Sequence, residues 1–174
     1  RRLPRRVPRR PAATTPSHDG YILLIDAAGP RIVADGLCFA NEVRVDAEGR
    51  HLFVVETALR RISRYAIGPD SELLDKATYG PEDIGGRPDG IALDAAGNLW
   101  LTEVDSNAIC AITPDQELHC LYRDPDAAVI NFPASLTFSG PDLRTVLVGS
   151  LRMDRIPCFR SPIPGLPMAH WKGP

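Results

Sequence analysis

Hydrophobic and polar positions alternate with a period of two along most of the chain. In residues 86–103, Ile91 and Leu93 alternate with smaller or polar neighbours, and a second run begins at Leu99. The residues between the two runs (Asp-Ala-Ala-Gly-Asn, 94–98) form turns readily, because glycine accepts positive φ and Asp and Asn side chains bond local amides. The stretch therefore predicts a turn, a strand, a tight hairpin and a second strand.

The same alternation of short strands and turns extends over most of the chain. Residues 20–26 and 31–34 read as two strands joined by a turn, and turn residues then recur about every 8–12 positions. No segment keeps a 3.6-residue period over three turns, and residues 71–79 fit either a short helical turn or a looping strand connection. The pattern predicts an all-β fold.

Three segments repeat one another. Residues 39–57, 86–103 and 132–149 align so that Asn41 matches Asp89 and Ala134, at intervals of 48 and 45 residues. A period in the forties built from about four short strands is typical of a β-propeller blade. The strands after Tyr21 amount to about three blades, whereas complete propellers have about four to eight. We therefore predict a partial β-propeller: a fragment, a truncated gene product, or a half that self-associates with a second copy to complete the ring.

Charge divides the 174-residue chain into two parts. Residues 1–17 carry six arginines and no acidic residue, so the net charge of −2 leaves −8 for the remainder. We expect residues 1–18 to be a disordered Arg/Pro-rich segment and residues 19–174 to be the propeller half with a Pro-rich C-terminal tail. The acidic body argues against nucleic-acid binding and mildly favours cationic ligands. No apolar run approaches a membrane span, and no export signal is apparent, so we expect no membrane partner and a cytoplasmic location.

The four cysteines show no CxxC spacing, which disfavours a zinc knuckle. Cys110 and Cys120 flank a predicted turn at residues 114–116 and would face each other across a hairpin, close enough for a disulfide. Two half-buried thiols are the favoured interpretation in a chain without an export signal.

Asn41 and Asp89 are the candidate ligands. The innermost strands of successive blades start at one mouth of the central channel, so matched positions converge there. An amide oxygen and a carboxylate are hard donors that suit calcium or magnesium better than zinc. Ala134 offers no ligand at the third position, so a third donor must come from elsewhere. The alternative for both residues is an Asx turn that caps its own backbone.

Other motifs are weaker. Glu56 and Glu103 end the second strands of successive repeats and either line the channel or are solvated, and we favour solvation. The four histidines are scattered, and no G-x-S-x-G, P-loop or dinucleotide-binding fingerprint is present.

Taken together, the repeats resemble the gluconolactonase/regucalcin (senescence marker protein) family. Residues 39–56 are similar to its P-N-G…D-G-R-x-L-Y-V-x-(D/E) repeat and residues 87–100 to its P-D-G-x-x-x-D-x-x-G-x-(L/I)-W repeat. Residues 138–148 are similar to F-G-G-P-D-L-(K/R)-T-L-Y. Single repeats also occur in strictosidine synthase-like propellers, and Glu56 followed by Arg61 is slightly more similar to that group.

The resemblance implies the C-terminal half of a six-bladed propeller with a divalent cation, often calcium, held by a Glu, an Asn and an Asp. Asn41 would match the Asn and Asp89 the Asp, and Asp89 is also the candidate catalytic base. The blade that carries the Glu ligand is missing, and Glu42 stands where the family has Gly.

We therefore expect a metal-dependent hydrolase of small-molecule lactones or related esters. The alternative is a non-catalytic propeller used for binding or scaffolding, or an inactive fragment.

Overall fold

The computed structural model describes residues 16–168, and their regular structure is thirteen β-strands. Within this range, the helical structure is limited to two single 3-10 turns, Thr57–Leu59 and Pro69–Ser71. No helix in the described residues is long and apolar enough to cross a membrane. The predicted all-β class is confirmed.

The strands form four antiparallel sheets, none of which closes on itself. A two-stranded sheet pairs β1 (Gly20–Asp26) with β2 (Gly29–Leu37). The next sheet, blade one, has the order β3 (Ala40–Val45), β4 (His51–Glu56), β5 (Arg61–Ile67), β6 (Leu73–Tyr79). Blade two has the order β7 (Pro88–Leu93), β8 (Leu99–Glu103), β9 (Ala108–Ile112), β10 (Leu118–Arg123). Blade three contains β11 (Pro133–Ser139), β12 (Thr145–Ser150) and β13 (Cys158–Arg160).

The β7–β8 hairpin forms as the sequence predicts. The Asp94 amide donates to the Asn98 carbonyl at 3.1 Å, and Gly97 takes φ +84° in the turn. Residues 73–79 are the strand β6, so the strand alternative for residues 71–79 is correct and the helical one is wrong.

Blade two lies between its neighbours and is covered on both faces. One face, including Leu99 and Leu101, packs with Val55 and Ile62 of blade one. The opposite face packs Trp100 against blade three, where the Trp100 and Phe138 rings meet edge to face with centroids 5.3 Å apart. Each fully buried Leu or Ile contributes about 1.5–3 kcal/mol, so stacking of the blades supplies the core.

The strand register confirms that the repeats are structurally equivalent. The first residue of the inner strand pairs with the end of the second strand in every blade: Ala40 with Glu56, Pro88 with Glu103, and Pro133 with Ser150. The inner strand β7 lies against β3 on one side and β11 on the other. Gly90 permits this approach, since a Cβ there would lie 2.5 Å from the Cα of Ser135. The structure is an open stack of blades, a partial β-propeller.

The two chain ends extend beyond the described range. The predicted disordered segment 1–18 falls outside it apart from residues 16–18, and the boundary at residue 19 stays a prediction. At the other end, the tail folds back across blade two, where the Leu166 amide donates to the Leu93 carbonyl at 2.8 Å.

Candidate functional site

Asn41 and Asp89 lie at the same end of neighbouring inner strands, each as the second residue of its strand. The Asn41 Nδ2 donates to Thr57 Oγ1 at 3.2 Å, and that hydroxyl donates to the Pro88 carbonyl at 2.7 Å. Thr57 thereby connects the two strands across the gap between blades one and two. The third equivalent residue, Ala134, has no donor atom in its side chain.

Asp89 is a half-buried carboxylate with few neighbouring groups that stabilise its negative charge. Burial raises its pKa, and the neighbouring Asn41 side chain offsets only part of that rise. No Lys or Arg within residues 16–168 forms an ion pair with it. Over the same range, no backbone amide of its own turn donates to it, so Asp89 does not act as an Asx-turn cap.

Glu42 has a role that the sequence analysis missed. Its Oε2 accepts the Ile91 amide of blade two at 2.8 Å, and its Oε1 forms an ion pair with Arg44. Burial raises the pKa of Glu42 and nearby Asp89 adds to the rise, although the Ile91 amide and Arg44 oppose it. Glu42 bridges two inner strands, and only its position beside Asn41 hinted at such a role.

The donor chemistry of Asn41 and Asp89 fits a hard divalent cation, because both offer oxygen and the carboxylate lacks a cationic partner among the described residues. Within residues 16–168, no cluster of three or more His, Cys, Asp or Glu side chains could hold a metal ion. The pair thus offers two oxygen donors, and the described residues supply no complete coordination sphere around them.

Glu56 is fully buried, so the expectation that it is solvated is wrong. Its carboxylate accepts the Cys38 amide at 2.9 Å and the Ser63 hydroxyl at 2.5 Å, and it pairs with Arg61 and Lys76. Burial alone raises the pKa of Glu56, but the bonds from Ser63, the Cys38 amide and Lys76 outweigh it and lower the pKa to about 2.

Glu103 is also buried, at 2% exposure, so the same expectation fails for it. It accepts a hydrogen bond from Ser106 and one from the Cys110 thiol at 3.3 Å, and an Arg123 nitrogen lies 3.6 Å away. Glu103 is bound by groups of its own blade, and Glu56 is bound by groups of its own blade and by the Cys38 amide of the segment just before it. Both therefore serve the packing of their blades.

A cavity of about 350 Å³ opens at the opposite end of the inner strands, between blades one and two. Asp46, His51, Arg64 and Asp94 are among its lining residues. A cleft of about 310 Å³ runs beside β3 and β11, lined in part by Glu42, Arg44 and Ser135. Neither of these volumes includes Asn41 or Asp89 in its lining, but Asn41 lines a smaller cavity of about 180 Å³ together with Tyr21 and Val54.

Sequence comparison identifies the family. A model of the SMP-30/Gluconolactonase/LRE-like region matches residues 10–152. The chain belongs to this family. Among curated relatives, a 6-deoxy-6-sulfogluconolactonase from Pseudomonas putida is 30% identical over 148 residues, covering 78% of this chain and 46% of the relative. The chain therefore spans about half the length of the curated relative it matches.

Solved structures agree on the fold. A luciferin-regenerating enzyme superposes with a TM-score of 0.73 at 17% identity, covering 88% of this chain and 55% of that one. Regucalcin from Agrobacterium tumefaciens, described as a calcium-binding protein, gives a TM-score of 0.66 at 20% identity, covering 79% and 46%. A gluconolactonase from Xanthomonas campestris gives 0.62 at 22% identity, covering 82% and 44%. The family resemblance seen in the repeats is confirmed.

Proposed function

We propose that the chain forms part of a metal-dependent hydrolase of lactones or related esters. Membership of the gluconolactonase-like family supports lactone hydrolysis, and a curated relative is named as a sulfogluconolactonase. The observation that carries the proposal is the placement of Asn41 and Asp89 at the same end of adjacent inner strands, with Asp89 lacking a cation or turn amide to compensate it.

In this proposal Asn41 and Asp89 supply two oxygen ligands to a divalent cation, with calcium the best match to their chemistry. A bound cation would polarise the lactone carbonyl and stabilise the developing negative charge. Asp89 would also accept a proton from the attacking water. Thr57 would hold Asn41 in place through its hydrogen bond.

Calcium binding is tested by thermal unfolding of the 174-residue chain. We expect added calcium to raise the Tm of the wild type, because a ligand that binds only the folded state stabilises it. Asp89→Ala should abolish this rise while retaining a cooperative transition. Asp115→Ala, an exposed aspartate in a turn at the opposite end of blade two, should keep the rise.

Hydrolysis is tested with sugar lactones, including one that carries a sulfonate, by following release of carboxylic acid. We expect activity that a chelator removes and calcium restores, and that Asp89→Ala loses without unfolding. Wild-type activity in Asp89→Ala would refute the assignment of the site.

A second function, a binding or scaffolding propeller without catalysis, is favoured by one observation. Asn41 and Asp89 supply only two ligands. Because no cluster of three or more His, Cys, Asp or Glu side chains lies among residues 16–168, the metal site is incomplete. This alternative predicts no calcium-dependent rise in Tm and no lactone hydrolysis by this chain.

A further inference from the structure

Two thiols face each other across the outer hairpin of blade two. Cys110 of β9 pairs directly with Cys120 of β10 in the antiparallel register, which places their side chains on the same face of the hairpin. Residues opposite each other in such a pair have Cα atoms about 4.5–5.5 Å apart, inside the roughly 4.4–6.8 Å span of disulfides. Both cysteines are free in the structure.

We propose that Cys110 and Cys120 form a redox modification site that hydrogen peroxide converts to a disulfide within one chain. The inference is independent of the proposed hydrolase, because neither cysteine lies at the end of the inner strands that holds Asn41 and Asp89.

The two thiols have different surroundings that suit successive steps. Cys120 is exposed on the outermost strand, so peroxide in solution reaches its sulfur, which lies 3.7 Å from the Tyr122 carbonyl oxygen. Oxidation by peroxide requires that the reagent reach the sulfur, and exposure is what separates Cys120 from buried Cys110. Cys120 is therefore the thiol that reacts first.

Cys110 is 1% exposed and donates its S–H to Glu103 Oε1 at 3.3 Å. Burial raises the pKa of Cys110, and the Glu103 carboxylate raises it further, so peroxide in solution meets an inaccessible, protonated thiol. The same carboxylate is placed to accept the thiol proton once a partner sulfur becomes electrophilic. Cys110 is therefore suited to the second step.

The chemistry balances with peroxide as the sole oxidant. The Cys120 sulfur attacks one peroxide oxygen, which gives a sulfenic acid and one water. The Cys110 sulfur then attacks the sulfenic sulfur, its proton passes to Glu103 and on to the departing hydroxide, and the S–S bond forms with release of a second water. Two thiols are oxidised and one peroxide is reduced.

The remaining cysteines provide internal controls. Cys38 is buried, with its sulfur 3.0 Å from His18 Nδ1. Cys158 is exposed on β13, opposite Leu147 of β12 rather than another cysteine. Cys158 thus matches Cys120 in exposure but lacks a cross-strand thiol.

The test treats dilute 174-residue chain with hydrogen peroxide, blocks residual thiols, and maps peptides without reduction. Cleavage after Glu117 separates the two cysteines, so a Cys110–Cys120 disulfide holds the two peptides together until a reductant is added. We expect this linked pair in the wild type and in Cys158→Ser, and its complete loss in Cys120→Ser.

Glu103→Gln tests the second step separately, since it keeps the shape of the side chain. We expect slower disulfide closure and a Cys120 sulfenic acid that a dimedone probe traps in larger amount than in the wild type. Oxidation of Cys120 to sulfinic acid while Cys110 remains a free thiol in the folded wild type would overturn the proposal. Disulfides found only between Cys158 or Cys120 of different chains would overturn it as well.

Discussion

The two ends of the inner strand of blade two carry aspartates five residues apart with opposite surroundings. Asp94, at the turn end, is 1% exposed and accepts the Ala96 and Asn98 amides at 2.9 Å and the Trp100 indole N–H at 2.9 Å. Asp89, at the other end, accepts no amide of its own turn. A saturated carboxylate holds a fold together, whereas an unsaturated one is available to a ligand.

Blade one repeats the contrast with different residues. Asp46 accepts the Arg50 amide at 2.7 Å and faces the His51 ring at 2.7 Å, which corresponds to the turn of Asp94. Asn41, at the other end, donates a hydrogen bond to Thr57 and contacts Asp89, and these are its side-chain partners among the described residues. The contrast is therefore a property of the blade rather than of one hairpin.

The largest expected effect is on the unsaturated end. Asp89→Asn should lower lactone hydrolysis roughly 10³-fold, equivalent to about 4 kcal/mol of transition-state stabilisation, because it removes both a charged ligand and a base. Its Tm in chelator should stay at or above the wild-type value, since the amide avoids burying a charge. A large fall in Tm would show that Asp89 is a structural residue like Asp94.

Asp94→Ala, in contrast, should lower the stability of the fold. It removes several hydrogen bonds and leaves the buried Trp100 N–H without an acceptor, which together cost about 4 kcal/mol. We expect Tm to fall by roughly 8 °C or more, measured by calorimetry. Trp100→Phe removes the indole N–H and part of the ring but keeps the amide bonds to Asp94, so it should lose a smaller part of this stability. An equal loss would mean that ring packing dominates.

Acid should weaken blade one through Glu56. Its bonds to Ser63, the Cys38 amide and Lys76 lower its pKa from the ordinary 4.5 to about 2, so its contribution is present above pH 4.5 and disappears as the pH falls toward 2. The shift corresponds to on the order of 3 kcal/mol. Urea unfolding between pH 7 and 3 should show this loss in the wild type, whereas Glu56→Gln should be less stable at pH 7 and have a flatter profile.

An exposed glutamate provides the matched control for this titration. Glu48→Gln, on the turn after β3, should keep the wild-type pH profile because the ion pair of Glu48 with Arg50, at 3.9 Å, is solvent-exposed. An unchanged profile in Glu56→Gln would contradict the assignment of the acid sensitivity to the buried carboxylate.

The smallest effect is expected at the turn of blade one. Asp46→Asn keeps the side-chain oxygen for the Arg50 amide and weakens the bond to His51, a partly exposed pair worth up to about 1 kcal/mol. We expect a Tm decrease of roughly 2–4 °C. A loss as large as that of Asp94→Ala would erase the distinction between a partly exposed and a buried turn.

Much of the fold followed from local patterns. Alternation and turn residues placed the β7–β8 hairpin correctly, and the repeat identified Asn41, Asp89 and Ala134 as equivalent before any pairing was known. These features depend on backbone geometry and on residues close in the chain, which the sequence displays directly. Glu56 and Glu103 were misjudged because their partners Lys76 and Arg123 lie twenty residues away on another strand.

By itself, the sequence determined the strand pattern, the equivalence of the repeats and the family, since all three are encoded in periodicity and motif. Only the tertiary structure decided which carboxylates have partners that stabilise their negative charge. Asp94 and Asp89 both stand in turn-forming sequence, but Asp94 receives the amides of its own turn and the Trp100 indole of the next strand, whereas Asp89 receives no amide of its own turn. Likewise, the Glu42–Ile91 bond exists because stacking of the blades brings two separate segments into contact, whereas the facing of Cys110 and Cys120 follows from a local hairpin that the sequence already predicts.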